Sequence, residues 1–116
     1  MQVINNNIYF ETRKWGYFHK FIENEHCTVK LLNIKKGESI SYQYHKYRSE
    51  QWYVLSGRVV VTKGIERSIL IPNMSITIQV GEKHKLEGLD DSVVLEISRG
   101  HFDEQDIVRL DPIATK

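Results

Sequence analysis

Turn-forming residues interrupt this chain roughly every 8 to 12 residues, a spacing that argues against helices and for short strands. Gly37, Gly57, Gly64, Gly81, Gly88 and Gly100, with Pro72-Asn73, separate runs rich in Val, Ile, Tyr and Thr. No segment sustains an apolar period of 3.6 residues. Strands are predicted over residues 17–23, 28–34, 39–45, 51–55, 58–62, 65–71, 75–80, 84–87 and 93–98. A further short strand is expected at 8–10, and a helical turn or short strand in the acidic tail. The expected class is all-β, a sandwich or barrel of eight or more strands in one domain spanning 1–116, with its core over about 13–110.

Within that pattern, residues 37–57, GESISYQYHKYRSEQWYVLSG, carry a concentration of donor side chains. Gln43 and His45 are two apart, so a strand presents them on one face. Glu50 follows after a turn-like KYRS, and an antiparallel hairpin here is expected to bring Glu50 back opposite His45. His84 offers a fourth donor from a later strand. Two imidazole nitrogens, one carboxylate and one amide oxygen suit a borderline divalent ion: zinc first, with manganese, cobalt, nickel or iron as alternatives. One negative charge among the donors leaves the bound ion a Lewis acid.

Composition narrows the partners. Sixteen Lys and Arg against fifteen Asp and Glu give a net charge of +1, with no basic block to indicate nucleic acid or a membrane surface. A substrate with a single phosphate needs only a few local cations. The single Cys27 allows no disulfide within the chain, and no apolar run reaches the roughly 18 residues of a membrane span. With no secretory pattern at the start, the expected compartment is the cytoplasm.

The spacing Gly37, Gln43, His45, Glu50, Gly57 resembles the first cupin motif, with Gln where the pattern usually has His. PNMSITIQVGEKHKLEG resembles the second, with Gly81 and His84 in register and Asn73, Gln79 and Gly88 departing from it. RKWGYF, SYQYHKYRSEQWYVLSG, VGEKHKLEG and EQDIVRL together resemble the cupin domain of type II mannose-6-phosphate isomerases, from about Arg13 to Leu110. In that family the domain is often fused behind a guanylyltransferase, whose nucleotide loop has no room here. The family's closing Tyr-Gly-Arg is also unmatched: this chain reads DPIATK.

The resemblance implies a double-stranded β-helix, or jelly roll, with one divalent ion on Gln43, His45, Glu50 and His84. It implies an enzyme that interconverts mannose 6-phosphate and fructose 6-phosphate, and a homodimer. It gives Arg48, placed in the loop before Glu50, a part in catalysis through phosphate or the enediolate. Glu96 lies inside the apolar run VVLEIS, where a carboxylate is unfavourable unless paired or facing a polar cavity. It is a candidate base; facing solvent or pairing with an arginine is the competing expectation. By alternation Trp52 shares the side of Glu50 and Tyr53 does not; Trp52 is expected in the core, with sugar stacking second. Trp15-Gly16 and Arg109 are expected to pin the two chain ends. Two other functions fit the same residues. His45, Glu50 and His84 make the facial triad of a non-haem iron dioxygenase, and a small cupin can bind a sugar or metabolite without turnover.

Overall fold

The computed structural model describes residues 8–110. Residues 111–116, on which the comparison with the family's closing motif falls, lie outside the described residues. Eleven strands are present: β1 (Tyr9–Arg13), β2 (Gly16–Lys20), β3 (Cys27–Ile34), β4 (Gln43–Tyr44), β5 (Arg48–Ser56), β6 (Val59–Lys63), β7 (Glu66–Leu70), β8 (Ser75–Ile78), β9 (His84–Gly88), β10 (Ser92–Gly100) and β11 (Val108–Arg109). No helix occurs among the described residues, and so none long and apolar enough to cross a membrane.

Two antiparallel sheets face each other. One runs β3-β10-β5-β8 and the other β11-β4-β9-β6-β7, while β1 and β2 form a separate two-stranded arm. The cores of both sheets follow from alternation. Leu32, Ile34, Trp52, Val54, Ile76, Ile78 and Val94 come from the first inner face, and Val59, Val61, Leu70 and Leu86 meet them from the second. Gly57 lets β5 turn into β6: its φ is +79°, and a Cβ there would lie 2.5 Å from the carbonyl oxygen of Asp91.

The predicted strands are present, with three corrections of position. The stretch 39–45 is not one strand. Only Gln43–Tyr44 pairs regularly, and Ser39 makes a single bridge to Glu87. Strand β5 starts at Arg48, so Arg48 is a buried strand residue and not a loop residue at the rim. The largest correction concerns the expected hairpin. The strands carrying Gln43 and Glu50 do not pair: β4 bonds β9 and β11, whereas β5 bonds β10 and β8. Residues 45–47 are therefore a crossover between the two sheets. Trp15 also departs from expectation: it is 70% exposed at the tip of the arm, where it stacks on Phe18. At the other end β11 does tie the tail down, with Arg109 opposite Gln43.

Candidate metal centre

Each inward-facing stripe changes from apolar to polar toward the same end of the sandwich, one row earlier on β10, where Glu96 stands opposite Trp52. Along β5 the sequence is Val54, Trp52, Glu50, Arg48; along β10 it is Val94, Glu96, Ser98; along β9 it is Leu86, then His84. Strand alternation thus stacks a hydrophobic end beneath a polar end. The polar end is buried: Gln43, His45, Arg48, Glu50, His84, Glu96 and Ser98 are all below one-tenth exposed.

Three donors converge there from opposite sheets. His45 Nε2 lies 3.4 Å from Glu50 Oε2, and His84 Nε2 lies 3.7 Å from Glu50 Oε1. Donor atoms of His45, Glu50 and His84 all fall within 4.8 Å of one another. Both imidazoles are oriented by backbone carbonyls. His45 Nδ1–H donates to Asp106 O at 2.7 Å, and His84 Nδ1–H donates to Glu82 O at 2.8 Å. Each Nε2 lone pair is thereby left facing inward. Burial lowers the pKa of both rings, that of His84 to about 4, so both are neutral and able to ligate near pH 7.

Glu50 Oε1 and His84 Nε2 are fully buried and have no hydrogen-bond partner. Orphaned atoms of this kind are rare in folded proteins, and these two lie 3.7 Å apart as donors that would hold a cation. Two imidazoles and a carboxylate are a recurrent donor set for divalent transition metals, so the residues present fit one. Gln43 is beside them, with Nε2 donating toward His45 Nε2 at 3.3 Å and Oε1 accepting from Ser41 Oγ at 2.9 Å. Presenting its oxygen to an ion requires the amide to turn over, which Ser41 tolerates because a hydroxyl both donates and accepts.

Arg48 Nε donates to Glu50 Oε2 at 3.1 Å, and Nη1 donates to the carbonyl of Asp103 at 3.1 Å. It therefore fixes the inner carboxylate and the tail loop together. Glu96 does not face solvent, and its side-chain hydrogen bond is to Trp52, not to an arginine. It is buried on the pocket side and accepts from Trp52 Nε1 at 3.1 Å. Burial, then the charge of Glu50, raises its pKa. Trp52 is fully buried with its ring edge-on to His84, while Tyr53 lies on the opposite face under Phe21.

Asp106 was not singled out from the sequence. Its carboxylate accepts from the amides of Lys46 at 2.7 Å and Tyr47 at 3.0 Å, closing the crossover that carries His45. Burial works to raise its pKa, but those amides and Arg48 lower it overall. An acid sitting among Ile107 and Val108 within EQDIVRL was the available signal.

A jelly-roll sandwich with an inward His–Glu–His cluster defines a cupin, and the comparisons agree on the fold. A 3'-monoepimerase from Streptomyces bikiniensis superposes with a TM-score of 0.74 at 10% identity, over 91% of this chain and 68% of that one. A sugar phosphate isomerase of the cupin superfamily from Silicibacter pomeroyi superposes with a TM-score of 0.60 at 18% identity, over 65% and 51%. The family model described as mannose-6-phosphate isomerase C-terminal matches residues 4–112, and the chain belongs to that family. Mannose-1-phosphate guanylyltransferase 2 of Escherichia coli O157:H7 is 38% identical over 100 residues, which is 84% of this chain and 21% of that protein. The chain thus spans about a fifth of the length of the curated relatives it matches.

Proposed function

We propose that the chain is a metal-dependent isomerase interconverting mannose 6-phosphate and fructose 6-phosphate. The observation that carries this reading is the pair of bare, buried donor atoms on Glu50 and His84 beside a second carboxyl group, Glu96, that holds its proton more tightly than usual. Membership of the mannose-6-phosphate isomerase C-terminal family and the likeness to the Silicibacter pomeroyi sugar phosphate isomerase support the substrate class.

Aldose–ketose isomerisation moves a proton from C2 to C1 through an enediolate. An ion on His45, Glu50, His84 and Gln43 supplies charge stabilisation of the enediolate when bound. In this reading Glu96 takes and returns the proton, a role that its burial and raised pKa support. The Trp52 N–H holds Glu96 in place, and Arg48 holds Glu50. The exposed Phe10, Trp15 and Tyr17 of the arm give a second copy of the chain an apolar surface to pair with.

The test is proton NMR of fructose 6-phosphate with metal-loaded protein, beside a chelated sample. Mannose 6-phosphate is expected in the loaded sample alone. If no aldose appears with zinc, manganese, cobalt or nickel, the isomerase reading is wrong.

A further inference from the structure

Two cations, Lys30 and the Arg48 that holds Glu50, share one aromatic ring. Arg48 Cζ lies 4.5 Å from the centroid of Phe102, and Lys30 Nζ lies 4.6 Å from the same centroid. The two cations are not equivalent. Arg48 is buried, with Nε bound to Glu50 and Nη1 to the carbonyls of Asp103 and Asp106. Lys30 is held loosely, with its side chain 37% exposed and Glu104 as its carboxylate partner at 3.4 Å; Glu104 is itself 74% exposed.

Backbone register puts Lys30 on the pocket side. In β3 it stands opposite Glu96 of β10, and Glu96 stands opposite Trp52 of β5, all on one face. Glu50 belongs to the next row along, opposite Ser98. Lys30 is thus two strands across and one row along from Glu50, about 12 Å between backbones at about 4.8 Å per strand and about 3.4 Å per residue. A hexose 6-phosphate with its reacting end at the donor cluster would carry its phosphate at the far end of a six-carbon chain, and Lys30 is a partly exposed cation on this inner face.

We infer that Lys30, seated on Phe102, is the cation that binds the phosphate of a sugar-phosphate ligand, and that Glu104 occupies Lys30 until the phosphate displaces it. The inference rests on reading the metal pocket as a sugar-phosphate site. Arg48 stays with Glu50 and the tail loop, because drawing it to a phosphate would break the bonds that position a metal ligand. Glu104 is an exposed partner on a salt bridge of small stability, and a dianionic phosphate outcompetes it.

The experiment is calorimetric titration of the zinc-loaded protein with mannose 6-phosphate, and with unphosphorylated mannose beside it. Lys30→Met is expected to weaken mannose 6-phosphate about 10-fold or more, the usual size of a lost charge-assisted hydrogen bond. Mannose affinity and zinc stoichiometry should be unchanged. Lys30→Arg should restore binding to within about threefold, and Glu104→Gln should tighten it about two- to fivefold by removing the internal competitor. The inference is overturned if Lys30→Met binds mannose 6-phosphate as tightly as the parent protein, or if mannose weakens equally. The readout is binding, so the two readings fail separately. Lys30-dependent binding without turnover sinks the isomerase and leaves this inference standing; turnover by Lys30→Met at an unchanged KM does the reverse.

Discussion

His84 shows how much chemistry one buried side chain sets. It is fully buried, and burial is the chief reason its pKa falls from 6.5 to about 4. In the unfolded chain the imidazole takes up a proton near pH 6.5, whereas in the folded, metal-free protein it resists until about pH 4. Protons therefore favour the unfolded state across that window. The stability that His84 contributes is complete above pH 6.5 and is lost as pH falls toward 4, a change on the order of 3 kcal/mol. Glu96 acts with the opposite sign. Its raised pKa means the folded state keeps a proton longer, so its contribution declines as pH rises above the ordinary carboxyl value of 4.5. Urea unfolding of chelated protein at steps from pH 7 to 4 should show the decline. His84→Gln should flatten it, and Glu96→Gln should leave the His84 decline in place while removing the opposing one. Parallel profiles for the parent protein and His84→Gln would remove His84 as the cause.

Among the elements, the crossover at residues 45–47 does more than join two strands. It carries His45 just beyond β4 of one sheet and leads into Arg48 and Glu50 on the other, and Asp106 closes it by accepting two backbone amides. Asp106→Ala leaves the amides of Lys46 and Tyr47 without that partner and should destabilise the fold by about 2 kcal/mol. Asp106→Asn keeps one acceptor and should lose about half as much. Because the Asp106 carbonyl also orients His45, both variants should weaken zinc binding in a competition assay against a chromophoric chelator; zinc affinity unchanged in Asp106→Ala would mean the strap does not position the site. The sequence displayed the donors but hid this geometry. Alternation along β5 put Glu50 and Trp52 on the inner face, and the structure has them there. The expected hairpin was wrong because KYRS has the length and polarity of a hairpin turn, and nothing local distinguishes it from a crossover between sheets. Only pairing with β9 and β10, about 40 to 50 residues away in sequence, decides that. Arg48 was misplaced for the same reason: a charged residue next to a turn reads as loop until its buried partners Glu50 and Asp106 are known. Glu96 was ambiguous because a glutamate in an apolar run is equally consistent with an outward face.

At the scale of the whole molecule, the donors divide between the two halves of the sandwich. Gln43 and His84 belong to β4 and β9 of one sheet and His45 follows β4 directly, whereas Glu50 belongs to β5 of the other. An ion held by all of them cross-links the sheets where the hydrophobic core has already ended. Metal binding would then be coupled to global unfolding, since separating the sheets would break the site. A ligand at 100 times its Kd stabilises the folded state by about 2.7 kcal/mol. In a domain of this size each kcal/mol raises Tm by about 4 °C, so zinc should raise the midpoint by about 10 °C in a single cooperative transition. The chelated protein should retain the fold, because Trp52, Val54, Val59 and Leu86 form a core that does not involve the donors. Glu50→Gln keeps the size of the side chain but removes the only negative charge among the ligands, and should abolish the rise. A midpoint unchanged by zinc, manganese, cobalt, nickel and iron(II) alike would show that Glu50 Oε1 and His84 Nε2 are bare for some other reason. A rise that survives Glu50→Gln would place the ion elsewhere in the chain.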